Sequence, residues 1–310
     1  MPLASFKVKS RIGAKAAKDD METPKDCVLR AITDDDTFRV IVAVTKSMVQ
    51  DATQMHQRAF DAGSAAAASR LHYANLLTGA VLIRETMAPG YRVQAVLRGA
   101  DGGRLVADAH ADGMTRGLVE AEPADSFRLA PGCSLEVMRS MANGRGYRSI
   151  VQPPGDGGVP EALMVYLQES EQIVSVISTG ATWSDGQVTF AGGYVVQLLP
   201  GAARGPLMVM AERLSEMSSA AELIEKMNGD PKAVLDEILY GIPFSMLDER
   251  PVFYGCLCSR EAVLASLGTL PKADLLELSD KGEILEIDCD YCGEEYKVAP
   301  AQLRGLLQSS

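Results

Sequence analysis

Four of the chain's six cysteines fall after residue 250, as Cys256 and Cys258 in "CLCSRE" and as Cys289 and Cys292 in "DCDYCGEEY". The pattern is C-x-C, thirty intervening residues, then C-x-x-C. Zinc takes four thiolates tetrahedrally, and two short ligand pairs brought together by a fold are the usual way to supply them. Either pair alone is weak evidence, since neighbouring thiols also arise by chance or close a small strained disulfide. Together, in one short acidic segment of a cysteine-poor chain, they predict a Cys₄ site for one Zn²⁺, with Cys256, Cys258, Cys289 and Cys292 as ligands. Gly293, directly after the last of them, suits a tight knuckle turn whose backbone amides can donate to sulfur. Four thiolates on a divalent cation leave a formal charge of about −2, which such donors help to stabilise.

A site of this kind has no open coordination position, so its default role is structural rather than catalytic. The segment that carries it has room for only a thin core, and metal binding, worth about 10–16 kcal/mol in small zinc peptides, can supply most of its folding free energy. That dependence is also a switch, because a disulfide removes two ligands and releases the metal. Pairs adjacent in sequence can oxidise locally, as 256–258 and 289–292. Whether the C-x-C ring closes without strain is a matter of geometry that spacing leaves open.

The elements that must position these thiols lie upstream. "TFRVIVAVTKSMV" (37–49) begins with strand alternation and turns helical, and residues 64–87 read as a long buried helix rich in Ala and Leu. From 91 to 152, short alternating segments broken by Gly, Asp and Asn predict a run of antiparallel strands. "PPGDGG" is a turn, followed by a helix near 160–171 and two further strands, "QIVSVISTG" and "GGYVVQLLPG". Helices beside such strands predict an α+β fold: an N-terminal mixed sheet-and-helix domain, a helical linker and a small C-terminal Cys₄ zinc-binding domain. From 207 to 247 the pattern is helical, with Leu207, Met210, Leu214, Met217, Ala221 and Ile224 forming one narrow apolar stripe and no strand signal. Pro231 can open a further helix with Val234, Leu235, Ile238 and Leu239 as its apolar face. The expected units are a polar tail (1–35), a core (36–205), the linker (206–250) and the zinc-binding segment (251–310).

Net charge is −11 with a pI near 4.9, which argues against a phosphate-gripping surface and so against nucleic acid. No apolar run of 18 residues predicts a membrane span. The basic stretch before residue 20 has no continuous apolar segment and does not read as a secretory signal, so a reducing, cytoplasmic location is expected.

At "CLCSRE" and "GEILEIDCDYCGEEY" the chain resembles the 33 kDa chaperonin, or heat shock protein 33, family of redox-regulated holdase chaperones. "YRSIVQ" (147–152), "YLQESEQ" (166–172) and "AGGYVVQLLPG" (191–201) are similar to its N-terminal signatures, and the resemblance runs from about residue 36 to the C-terminus. It implies that Cys256, Cys258, Cys289 and Cys292 are both ligands and redox sensors, that oxidation forms two disulfides and expels zinc, and that 207–250 is a metastable linker. The linker would then unfold and expose apolar surface to unfolding client proteins, preventing their aggregation, and the oxidised form would be a homodimer. The linker stretch fits on its own terms. Five of the chain's 14 methionines lie between 208 and 246, giving soft apolar contacts, and nine acidic against four basic residues from 206 to 255 keep it soluble when opened. Taken alone, the stripe favours a packed amphipathic helical subdomain over a metastable linker.

Two rival functions fit a structural zinc. A zinc-ribbon nucleic-acid module should be basic, yet residues 256–310 hold ten acidic and five basic residues. An enzyme would need a catalytic cluster in 36–205, where none is visible. His56, His72 and His110 fall on separate elements, and Cys27 and Cys133 read as unpaired thiols. "TDDD" (33–36) and "NGRGY" (143–147) read as turns rather than cation or phosphate sites.

Overall fold

A computed structural model of the chain describes residues 26–309, except 61–62, 101, 121–126, 128, 142 and 155–156. The fold is α+β. A five-stranded antiparallel sheet runs β10-β1-β2-β9-β8, built from β1 (Cys27–Thr33), β2 (Phe38–Val44), β8 (Ser175–Ser184), β9 (Gln187–Leu198) and β10 (Phe244–Pro251). A six-stranded sheet runs β11-β5-β4-β3-β6-β7, from β3 (Tyr91–Arg98), β4 (Arg104–Ala109), β5 (Met114–Glu120), β6 (Ser134–Met141), β7 (Gly146–Val151) and β11 (Phe253–Tyr254). Its ladders are antiparallel except for β11 on β5.

The central strand β2 is apolar with little alternation because both faces of the sheet are covered there. On β2, Ile41 and Ala43 point to one buried cluster, while Phe38, Val40 and Val42 point to another. On β9, Ala191 and Val195 join the first, and Tyr194 and Val196 the second. The first cluster is the main core. It holds the long helix α2 (Gly63–Thr86), which contributes Tyr73, Leu76, Leu77, Ala80, Leu82 and Ile83, all fully buried, and packs between the two sheets. Helices α1 (Lys46–Met55) and α3 (Val159–Glu169) close its flanks, with Pro160 in the first turn of α3 and the Glu161 carboxylate accepting from the Gly158 N–H.

Two sequence expectations change here. Residues 27–33 are not tail: they form β1, a strand paired on both sides, with Cys27, Val28, Leu29 and Ala31 buried. The polarity up to Asp26 masked a boundary that the "CVLRAIT" alternation marks. Asp26 itself caps α1, its carboxylate accepting from the N–H groups of Met48 at 2.6 Å and Ser47 at 3.1 Å. Residues 1–25 of the expected tail lie outside the described residues. The second change lies at 244–251, which is not helical. It is β10, the edge partner of β1, held by Arg30 donating twice to Asp248 at 2.5 Å.

Between β9 and β10 the chain forms α4 (Arg204–Glu216), α5 (Ala220–Lys226) and α6 (Pro231–Ile238). The apolar stripe therefore does not run along one helix. "MSSAAE" breaks it, because Ser219 and Glu222 form a capping box that starts α5 afresh. Met210, Leu214, Leu223, Ile224, Val234, Leu235 and Ile238 from these helices cover the second cluster. Gly180 on β8 gives α5 its seat: a Cβ there would stand 2.9 Å from the Ala221 Cβ.

Candidate metal centre

The C-terminal module comprises β11, α7 (Arg260–Leu267), α8 (Lys272–Asp280), the hairpin β12 (Leu285–Asp288) and β13 (Glu295–Val298), and α9 (Pro300–Ser309). Its own cluster has three fully buried members, Leu275, Val298 and Leu303, ringed by half-exposed leucines. Cys256 and Cys258 lie between β11 and α7, where the Ser259 hydroxyl accepts from the Ala262 N–H and starts the helix. Cys289 and Cys292 sit in the tip joining β12 to β13. The Gly293 N–H donates to the Cys289 carbonyl at 2.7 Å and the Cys289 N–H to the Glu294 carbonyl at 2.9 Å. Gly293 has φ +67°, a left-handed conformation that closes this knuckle and suits a residue without a side chain.

The fold brings all four cysteines together, with their sulfurs within 4.8 Å of one another. The Cys256 and Cys289 sulfurs are 3.7 Å apart and those of Cys258 and Cys292 3.3 Å apart. A tetrahedron with Zn–S bonds of about 2.3 Å has edges of about 3.8 Å. Both short contacts cross between the arms, as expected of thiols facing a common centre. Further donors surround them: the Cys258 N–H points at the Cys256 sulfur at 3.4 Å, and the Tyr296 hydroxyl at the Cys258 sulfur at 3.0 Å. Burial, and then the neighbouring cysteines, push the Cys292 thiol up, and four thiolates gathered this closely would repel one another unless a cation lay between them. The donor set, its spacing and its hydrogen bonds fit a soft divalent metal.

The remaining sequence candidates stay apart from this centre. Nε2 of His56 lies 2.8 Å from the Gly117 carbonyl, the His72 ring meets Phe127 edge-on, and Nε2 of His110 is 3.3 Å from Asp108. Cys27 is buried in β1 and its thiol is pushed up to about 12, by burial first and then by Glu249. The Cys133 sulfur accepts from the Ala130 N–H. Thr33 and Asp35 share a hydrogen bond in the turn between β1 and β2, where "TDDD" is a plain connection.

Sequence reasoning passed over the contact between module and core. Arg116 of β5 stacks over the Tyr291 ring at 4.0 Å, reaches toward the Cys256 sulfur, and donates to Asp108 at 2.9 Å. Asp108 is fully buried. Burial alone would raise its pKa, but the nearby His110 ring and the paired bonds from Arg92 outweigh this and hold it well below the usual carboxylate range. The only sequence signal was alternation, which places Asp108 and Arg116 on the outer face of adjacent strands.

The profile of the family described as "Hsp33 protein" matches residues 26–299, most of the chain and ten residues further upstream than the motifs alone reach. The chain belongs to the Hsp33 family. Relatives named 33 kDa chaperonin share 31% identity over 301 residues in Geobacter sulfurreducens, covering 92% of this chain and 95% of the relative. The relative of that name in Syntrophotalea carbinolica shares 29% over 295 residues, covering 91% and 99%. The crystal structure of the Hsp33 homologue from Thermotoga maritima superposes with a TM-score of 0.75 at 22% identity, covering 92% of this chain and 99% of that one, which supports the fold. Hsp33 proteins are a chaperone family. Among the described residues, no helix is long and apolar enough to cross a membrane.

Proposed function

We propose that this chain is a cytoplasmic, redox-regulated holdase that binds one Zn²⁺ through Cys256, Cys258, Cys289 and Cys292 and becomes active when those thiols are oxidised. The observation that carries the reading is the gathering of four sulfurs within 4.8 Å in a module with three fully buried apolar side chains among the described residues. When bound, the metal supplies positive charge and a tetrahedral centre that hold the two arms together.

The chemistry belongs to the thiolates. A cysteine thiolate attacks the O–O bond of a peroxide, giving a sulfenic acid and hydroxide, and its neighbour displaces a second hydroxide to form the S–S bond. Forming each disulfide passes two electrons from a thiol pair to one peroxide, so two peroxides oxidise all four cysteines, as 256–258 and 289–292. No ligand then remains, and the module loses its centre. The module follows directly on β10, which follows on α4–α6, so its unfolding loosens the three helices over the five-stranded sheet. Phe38, Val40, Val42, Tyr194 and Val196 would then face solvent and bind apolar segments of unfolding polypeptides. The opened chain would pair with a second copy. Such a protein holds clients without turning them over and is not an enzyme.

Metal analysis tests the ligand assignment. The reduced chain should carry one zinc ion, and peroxide at elevated temperature should release it while four thiols disappear. Cys256→Ser and Cys289→Ser should each weaken zinc binding, and unchanged zinc stoichiometry in both would contradict the assignment.

A further inference from the structure

The outer face of the six-stranded sheet, opposite the main core, carries an apolar row. Val96, Val106 and Leu118 stand directly across from one another on β3, β4 and β5. They form a buried cluster of their own, 4–9% exposed, and the side chain packed against it is Tyr291. Tyr291 lies between the two cysteines of the knuckle, one residue from Cys292. Its ring sits on the Arg116 guanidinium at 4.0 Å, and its carbonyl accepts from the Tyr254 hydroxyl at 2.7 Å.

Tyr254 belongs to β11, the parallel strand on β5. The Phe253 N–H donates to the Gly113 carbonyl at 3.2 Å and the Gly255 N–H to the Thr115 carbonyl at 3.0 Å. Gly113, at φ +89°, permits this approach, since a Cβ there would stand 2.0 Å from the Pro251 carbonyl oxygen. The two arms of the four-cysteine centre therefore rest on one edge of the core. The C-x-C arm is held by strand pairing, and the C-x-x-C arm by Tyr291, through its ring and its carbonyl.

We propose that Tyr291 is the latch between the knuckle and the core, a plug whose seat is the Val96–Val106–Leu118 row and whose withdrawal uncovers that row. The proposal rests on the reading that the four thiols hold a metal. The closed knuckle fixes the backbone on both sides of Tyr291, so the ring is presented to the sheet in one orientation. Opening the knuckle removes that constraint, and a single ring on a flexible loop does not hold the position unaided. Arg116 positions the ring from the core side and is itself oriented by Asp108. Withdrawal also removes the Tyr291 carbonyl from Tyr254, which loosens β11 on β5. The apolar row thus becomes a second exposed surface, on the opposite side of the core from the one beneath α4–α6.

Amide hydrogen exchange at Phe253 and Gly255, read in the reduced full chain alongside its zinc content, tests the latch. Tyr291→Ala with zinc retained should speed exchange at these amides by about tenfold or more, because local opening then lacks its largest contact. Tyr291→Phe keeps the ring and the backbone carbonyl and should exchange like the parent. Leu118→Ala trims the seat without touching the knuckle, and should give a smaller rise of roughly threefold at the same amides. Parental exchange in both Tyr291→Ala and Leu118→Ala would overturn the latch. A reduced parent chain that carries no zinc would instead overturn the metal reading beneath it, and the metal analysis distinguishes the two failures.

Discussion

The main core and the C-terminal module hold themselves together by different means. Around α2, side chains from two sheets and three helices interlock, and Tyr73, Leu76, Leu77, Ile41 and Leu105 are fully buried. In the module, Leu275, Val298 and Leu303 carry the apolar burial, each contributing about 1.5–3 kcal/mol. Zinc binding in small zinc peptides is worth about 10–16 kcal/mol, more than those three side chains together. One region is fixed by packing, whereas the other, on the proposed reading, depends on the chemical state of four sulfurs. The helices α4–α6 lie between these extremes, docked on a well-packed sheet yet carrying Met208 at 74% and Val209 at 68% exposure. On the proposed reading, this gradient of burial would let a local oxidation reach an apolar surface without melting the sheets beneath it.

Metal removal should expose that contrast most strongly. Chelation of the reduced chain at neutral pH should abolish the helical signal of α7–α9 and their amide protection while β1–β9 keep theirs. Simultaneous loss of both would show one cooperative unit rather than two. Gly180→Ala should act next most strongly, and only on the helices. Its methyl would press on Ala221, an overpacking cost of about 1–3 kcal/mol, so the reduced protein should bind more of an apolar dye with its zinc content unchanged. Dye binding equal to the parent's would mean that α5 gives way without lifting.

The narrowest effect, confined to one pH window, concerns the core alone. Burial pushes the Asp26 carboxyl up to about 6, against the lowering effect of its bonds from Met48 and Ser47. A carboxyl raised from 3.8 when folded binds protons more tightly in the folded state, so its contribution falls as pH rises from about 4 to about 6. Asp26→Asn should therefore gain on the parent by up to about 3 kcal/mol across that window. Urea unfolding of parent and variant at pH 4.5 and 7 reads the difference directly, and a constant difference would contradict the assignment.

The sequence made the chemistry legible before the scaffold. Four cysteines at those spacings, with Gly293 after the last, announce a gathered thiol site because metal geometry leaves few ways to supply it. The strands from 91 to 152 were equally legible through their alternation. β1 was hidden by the polar residues before it, and β10 by the helical run that precedes it. "FSMLDERP" has no strand alternation because, as an edge strand, it leaves most of its side chains to solvent. The broken stripe of α4 and α5 was visible as "MSSAAE", a capping signal overshadowed by apolar spacing. Tyr291 on its apolar row could not be read, since it joins residues that meet only in three dimensions.

The central claim is that oxidation turns a metal-stapled module into a release for apolar surface. Light scattering from a heat-unfolding client protein tests it most directly, comparing the reduced, zinc-loaded chain with the same sample after peroxide at elevated temperature. Suppression of scattering by the oxidised sample alone is the predicted result. Equal failure of both samples, or equal suppression by both, would contradict the switch and leave the four cysteines as a structural staple.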